Sequence, residues 1–216
     1  LLKHAGLTAG VRVRELEGGA ELDVRARVVV NATGVFTDDI LRMDALDARR
    51  IIEPSQGIHI VLDPSFHPGD SAIMVPHTDD GRVLFAVPWH GRVIVGTTDT
   101  AVARADLEPK PLDDEVDFLL EHAARYLAHD PTRADVLSVF AGLRPLVRPP
   151  DSRDTASISR DHTLVTSASG LVTITGGKWT TYRKMAQDTV DQAIVVGGLD
   201  ARPCETETLD LHGYTG

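Results

Sequence analysis

Four side chains stand in settings that could do chemistry. Arg144 lies in Gly-Leu-Arg-Pro, where Pro145 disfavours helical geometry at the preceding residue and holds its backbone extended. A guanidinium fixed in this way can grip a phosphate or a carboxylate through two parallel hydrogen bonds; a surface ion pair is the ordinary alternative. His59 lies between Ile58 and Ile60 in a strand-like run, so its ring points to the opposite face from both. On a face lining a pocket, a neutral imidazole would serve as a general base near pH 7; a hydrogen-bonded structural histidine is the other reading. Lys178 follows Gly176 and Gly177 at the junction between an apolar run and a helix. Unpaired N–H groups, the helix dipole and the ammonium together attract an anionic or electron-rich ligand edge there, and the glycines admit it close to the backbone. Read locally, the same diglycine is a plain loop. Arg160, in Ser-Arg-Asp-His, either joins such an anion site or pairs with Asp161 or Asp154.

Several chemistries are excluded. The diglycine junction is not a Walker A loop, because Trp179 follows Lys178 where Ser or Thr is required. His67, His77, His90, His122 and His162 show no metal-ligand spacing, and neither His-Glu-x-x-His nor Gly-x-Ser-x-Gly occurs, so no metal is expected. A net charge of −10 over 216 residues argues against a nucleic-acid partner. Cys204, the single cysteine, cannot form an internal disulfide, which points to a reducing compartment. No apolar run reaches membrane-spanning length, and no signal peptide or basic amphipathic helix is visible. The chain opens without a methionine inside what reads as a structural unit, as a fragment of a larger protein would.

The elements that must position these residues follow from periodicity. Alternation over 11–16 and 21–27 around Gly18-Gly19 predicts a hairpin with one solvated face, continuing into a more buried strand at 28–30. Thr37 or Asp38 is expected to cap a short helix carrying Ile40 and Leu41. Between 50 and 100, short runs at 57–62, 71–76, 82–87 and 92–96, parted by turns at Asp79-Asp80-Gly81 and His90-Gly91, predict an antiparallel meander, with 97–100 a polar loop. Asp113 or Asp114 is expected to cap the clearest helix, whose apolar face carries Val116, Leu119, Leu120, Ala123, Tyr126 and Leu127, with Glu115, Glu121 and Arg125 off it. Strands are expected at 135–140, 157–160, 162–166 and 171–175, and a helix of about four turns from Thr180 onward.

Six blocks then occur in order: Val-Val-Asn-Ala-Thr-Gly-Val-Phe-Thr-Asp (29–38), Pro-Ser-Gln-Gly-Ile-His-Ile-Val (54–61), Val-Gly-Thr-Thr-Asp-Thr (95–100), Ala-Gly-Leu-Arg-Pro-Leu (141–146), Ser-Arg-Asp-His (159–162) and Gly-Gly-Lys-Trp-Thr-Thr-Tyr-Arg (176–183). The series resembles the FAD-dependent, respiratory glycerol-3-phosphate dehydrogenases of the D-amino-acid-oxidase-like flavoproteins. The resemblance implies an α/β fold with an inserted α+β part: a piece of an FAD-binding domain flanking a mostly antiparallel substrate-binding sheet. On that reading 1–50 and 146–200 belong to the FAD-binding domain, 51–145 form the substrate-binding domain, and 201–216 link to a further C-terminal domain. It implies oxidation of glycerol 3-phosphate to dihydroxyacetone phosphate by hydride transfer to flavin, with electrons passed to a quinone, and a fragment inactive by itself.

By position, Ala32, Thr33 and Gly34 would pass near the FAD. Gly176, Gly177 and Lys178 would face flavin and substrate, and Thr180 and Thr181 would receive the flavin's pyrimidine edge. Arg144, Arg160 and Lys178 would cluster around the substrate phosphate, and His59 would stand over the flavin ring as the base candidate. Two departures matter. Gln56 stands where the family usually has a basic residue, and the Gly-x-Gly-x-x-Gly turn that holds the FAD pyrophosphate is absent, which reads as truncation and leaves the 28–30 strand an exposed edge. The resemblance places the protein in the cytoplasm, peripheral on the inner face of the cell membrane through regions outside this chain, with a homodimer left open. Two alternatives stand beside it: an amino-acid oxidase of the glycine or sarcosine type, needing one carboxylate-gripping arginine, and a non-catalytic module that docks a phosphorylated ligand.

Overall fold

The computed structural model describes residues 1–76, 78, 81–148 and 161–214. The chain divides into two compact units, Leu1–Ile52 with Pro145–Gly216, and Glu53–Arg144. Mixed α/β structure with mostly antiparallel sheets is what the strand pairings give.

The first unit opens on a meander of β1 (Leu2–His4), β2 (Leu7–Arg14) and β3 (Glu21–Arg25). In the β2–β3 register Val11 faces Val24 and Val13 faces Leu22. On the other face Arg12 pairs with Asp23 and Arg14 with Glu21, each at 2.7 Å. The hairpin is where alternation puts it, yet Val13, Leu22 and Val24 are exposed, so one solvated face becomes two. Alternation decides which side chains share a face; it does not supply the layer that covers them.

Only β4 (Val30–Asn31) forms in the expected 28–30 strand, and Val30 is exposed. In α1 (Thr37–Asp44) the N-cap is Phe36 and no side chain caps it. Asp38 instead accepts the N–H groups of Ile51 at 3.0 Å and Ile52 at 3.2 Å, tying the helix start to the next strand.

That strand is β5 (Ile52–Leu62), whose first residue closes the first unit and whose remainder opens the second. With β6 (Ile73–Val75), β7 (Leu84–Trp89), β8 (Arg92–Gly96), β9 (Thr100–Ala101), α2 (Asp113–Ala124) and β10 (Ser138–Val147) as far as Arg144 it builds the second unit. The sheet runs β10-β5-β8-β7-β6, with β9 also on β5. The pairs β5–β8, β8–β7, β7–β6 and β5–β9 are all antiparallel, as the short runs and tight turns require. Ile58, Ile60 and Leu62 of β5 alternate into a core with Val93 and Val95 of β8, against Leu119 and its neighbours on α2.

Several local expectations change here. Glu115 is buried rather than off the apolar face of α2, and Leu112, not Asp113 or Asp114, is the N-cap. Tyr126 lies past the helix end and is half-exposed. Residues 97–100 are not simply a polar loop, since Thr98 is fully buried and Thr100 joins β9. The strand expected at 135–140 starts later and continues through Arg144 and Pro145 as β10. His77, Asp79 and Asp80 of the expected turn lie outside the described residues, as does the strand expected at 157–160.

The chain then returns to the first unit through β11 (His162–Thr166), β12 (Val172–Gly176) and α3 (Tyr182–Gly197). β12 sits between antiparallel β11 and parallel β4. A 3-10 turn over Trp179–Thr181 precedes α3, so the regular helix begins two residues later than expected. The cause is local: the Thr181 hydroxyl accepts the Lys178 N–H at 3.1 Å and donates to the Lys178 carbonyl at 3.0 Å, closing a tighter turn. Gly198 in the left-handed region ends the helix.

Candidate active site

In the second unit, the sheet face opposite the α2-packed core carries the chemistry. Period-two alternation sends His59 to that face while Ile58 and Ile60 enter the core. The neighbouring strand β10 puts Phe140 and Arg144 on one face, four residues apart. Phe140 stacks on the His59 ring, centroids 5.0 Å apart and planes within 9°.

Two glycines make room for these side chains. Gly96 pairs with His59 across β5–β8, and a Cβ on Gly96 would penetrate the imidazole. A Cβ on Gly57 would likewise strike the Arg144 guanidinium. Both side chains therefore lie flat against the sheet, over backbone that has no Cβ to push them off.

Arg144 is held by the segment after β8. Its Nη1 donates to the Thr98 carbonyl at 3.1 Å and its Nη2 to the Thr97 hydroxyl at 2.9 Å. The Asp99 carboxylate lies 3.9 Å away and itself accepts a hydrogen bond from Ser55. The guanidinium is thus oriented by this segment. Burial lowers the His59 pKa below that of a free imidazole, and the positive charge of Arg144 lowers it further. The ring is neutral at pH 7 and able to take up a proton. Gln56, on the core side of β5, is buried and donates to Glu115 at 2.7 Å and to the Lys110 carbonyl at 2.9 Å, so it presents no charge to the His59 face.

The first unit holds the other expected residues. Asn31 is buried and organises the 32–34 loop: its Oδ1 accepts the Thr33 hydroxyl at 2.7 Å and its Nδ2 donates to the Thr37 carbonyl at 3.1 Å. Ala32 and Thr33 precede Gly34, which takes a φ of 58° that glycine tolerates without strain. Gly176 and Gly177 adopt φ of 75° and 76° between β12 and the 3-10 turn. A Cβ at Gly177 would meet the Met185 sulfur, and one at Gly176 would approach the Asp161 carbonyl to 2.8 Å. Glycine is thus dictated at both positions by the chain's own packing, a reason independent of any ligand. Lys178, Trp179 and Thr180 are exposed, while the Thr181 N–H is engaged with the Lys178 carbonyl at 3.0 Å. Trp179 stacks on Tyr182 at 5.4 Å.

The expected residues therefore fall into two groups. His59 and Arg144 share a face of the second unit; Ala32, Thr33, Gly34, Gly176, Gly177, Lys178, Thr180 and Thr181 belong to the first. Arg160 lies outside the described residues. Phe140, Gly57, Gly96 and the Thr97–Thr98 pair were not singled out. The signal for Phe140 is the i, i+2, i+4 spacing of Phe140, Gly142 and Arg144 once 138–147 is a single strand; the others meet His59 and Arg144 only across the sheet.

Residues 2–183 match the sequence profile of the family described as FAD dependent oxidoreductase. The chain belongs to that family. It is 47% identical over 207 residues to the mitochondrial glycerol-3-phosphate dehydrogenase of Mesocricetus auratus, covering 95% of this chain and 28% of that one. It is 47% identical over 208 residues to the mitochondrial glycerol-3-phosphate dehydrogenase SDP6 of Arabidopsis thaliana, covering 96% of this chain and 33% of that one. The chain thus spans about a third or less of the length of these curated relatives. Among solved structures, the glycerol-3-phosphate dehydrogenase of Bacillus halodurans complexed with FAD superposes with a TM-score of 0.81 at 32% identity, over 95% of this chain and 39% of that one.

The diglycine bend of this FAD dependent oxidoreductase chain fits an electron-rich group. The first turn of α3 holds no acidic residue, and the exposed Lys178 stands at its positive end. Among the described residues there is no group of three or more His, Cys, Asp or Glu side chains placed to hold a metal.

Proposed function

We propose that this chain forms part of an FAD-dependent enzyme that oxidises glycerol 3-phosphate to dihydroxyacetone phosphate. One observation carries the reading: an oriented guanidinium and a neutral imidazole are mounted on the same sheet face, over two glycines. Relatives at 47% identity that bear the glycerol-3-phosphate dehydrogenase name support it over an amino-acid oxidase or a non-catalytic module. In functional terms the second unit is the substrate-binding part, and the first contributes to the cofactor-binding part.

The residue chemistry suits the reaction. Arg144 anchors the phosphate through its guanidinium, spending binding energy remote from the reacting carbon to position it. His59 takes the proton of the C2 hydroxyl as the C2 hydride departs, and Phe140 holds its ring in plane. FAD, when bound, accepts that hydride. Ala32 to Gly34, Gly176 to Lys178, and the Thr180–Thr181 helix start are the segments that would hold the cofactor.

We assign a quinone as electron acceptor and a peripheral position on the cytoplasmic face of the membrane, on the strength of the family resemblance. No helix among the described residues is long and apolar enough to cross a membrane. The names of the curated relatives above place those proteins in mitochondria. The test is anaerobic mixing of the flavin-loaded enzyme with candidate substrates while flavin absorbance is followed. Glycerol 3-phosphate should bleach it and glycine or sarcosine should not; the reverse pattern would replace this reading with the amino-acid oxidase.

A further inference from the structure

A buried carboxylate stands behind Arg144, on the other side of the sheet. Glu115 is 4% exposed, at the start of α2, and its carboxylate gathers several donors. The Thr98 hydroxyl donates to Oε1 at 2.9 Å; Gln56 Nε2, at 2.7 Å, and the Leu112 N–H, at 3.0 Å, donate to Oε2. Burial acts to raise its pKa, but the hydrogen bonds from Leu112, Gln56, Thr100 and Thr98 together outweigh it, so Glu115 stays ionised. Thr98 is fully buried and faces both ways. Its hydroxyl also accepts the Ile58 N–H at 3.0 Å, which locks the segment to β5, while its carbonyl accepts Arg144 Nη1. The hydroxyl of the preceding Thr97 accepts Nη2.

An ordinary helix-capping carboxylate would need only the Leu112 N–H. Glu115 reaches further, into the side chains of β5 and of the segment that holds the guanidinium. We infer that Glu115 is a positioning residue for Arg144: through the Thr98 hydroxyl it fixes the Thr97–Thr98 segment, whose oxygens set the direction in which the guanidinium meets the substrate phosphate. The inference rests on the reading of Arg144 as a phosphate anchor.

Glu115→Gln keeps the shape but replaces an acceptor oxygen with a donor, so either Thr98, or Gln56 together with the Leu112 N–H, loses its acceptor. Thr98→Val removes the hydroxyl, and Thr98→Ser retains it. In the flavin-loaded enzyme, KM for glycerol 3-phosphate and the inhibition constant of inorganic phosphate should both rise about three- to tenfold in Glu115→Gln and in Thr98→Val, the size of one net hydrogen bond. The kcat should stay within about twofold, since no group touching the reacting carbon has changed. Thr98→Ser should restore the parental values, and the double variant should be no worse than the poorer single one, because both act through one link. A loss of kcat with KM unchanged, or additive losses in the double variant, would overturn the proposal. If Glu115→Gln does not fold, the contrast between Thr98→Val and Thr98→Ser decides alone. Arg144→Ala separates the two levels: if it leaves KM unchanged, the anchor reading itself fails; if it raises KM while the Glu115 and Thr98 variants do not, only the positioning role fails.

Discussion

His59 is set up by its surroundings to be neutral before any substrate arrives. Its pKa is depressed by burial first and by Arg144 second, so protonation requires a pH below the ordinary imidazole value of about 6.5. The acid limb of kcat/KM for glycerol 3-phosphate should therefore fall below that pH in the parent enzyme. In Arg144→Ala the positive neighbour is gone, the imidazole pKa rises, and the limb should move to higher pH; an unmoved limb would detach His59 from the profile. His59→Gln should lower kcat by about 100- to 10,000-fold, the usual contribution of a positioned base, with FAD content retained. Residue type and strand parity made His59 and Arg144 legible in the sequence. Their partners were not, because Thr97 and Thr98 are 47 and 46 residues from Arg144 and meet it only through the sheet.

At the scale of elements, the glycines of β5 and β8 decide where the side chains lie. Gly57→Ala should displace the Arg144 guanidinium and raise KM, whereas Gly96→Ala should displace His59 and lower kcat. Steady-state kinetics on both variants would show this split, and matching losses in both parameters would deny it. Gly177→Ala tests the bend: a positive φ and the Met185 contact should destabilise the fold by about 1–3 kcal/mol, read as a lowered Tm.

Alternation and turn residues made the antiparallel meander readable, since β8 ends where Gly96 ends the apolar run. They failed at β10, where the strand expected at 135–140 instead starts at Ser138 and runs on through Pro145 to Val147. They failed again at α2, where Glu115 follows the helical polar pattern but turns inward because four donors await it. Such exceptions are set by tertiary partners, which local periodicity does not contain.

For the molecule as a whole, Asp44 joins segments far apart in the chain. It accepts the Ser169 hydroxyl at 2.5 Å and pairs with Lys3 at 3.0 Å, while Thr8 Oγ1 bonds Ser169 Oγ at 2.8 Å. Burial pushes its pKa up, yet the hydrogen bonds of Ser167, Ser169 and Lys3 carry the net shift down. A depressed carboxylate contributes stability that is present above the ordinary Asp value of about 3.9 and lost as pH falls through the folded value. Asp44→Asn should cost roughly 1.5–3 kcal/mol near neutrality and flatten the acid dependence of Tm.

The central claim is that Arg144 recognises the phosphate of the substrate, and it is tested by comparing two substrates in two enzymes. The kcat/KM of the flavin-loaded parent and of Arg144→Ala should be measured with glycerol 3-phosphate and with glycerol. The account predicts a loss of roughly 10- to 100-fold for glycerol 3-phosphate, the worth of a charge-assisted hydrogen bond, and no further loss for glycerol. An equal loss on both substrates would contradict it.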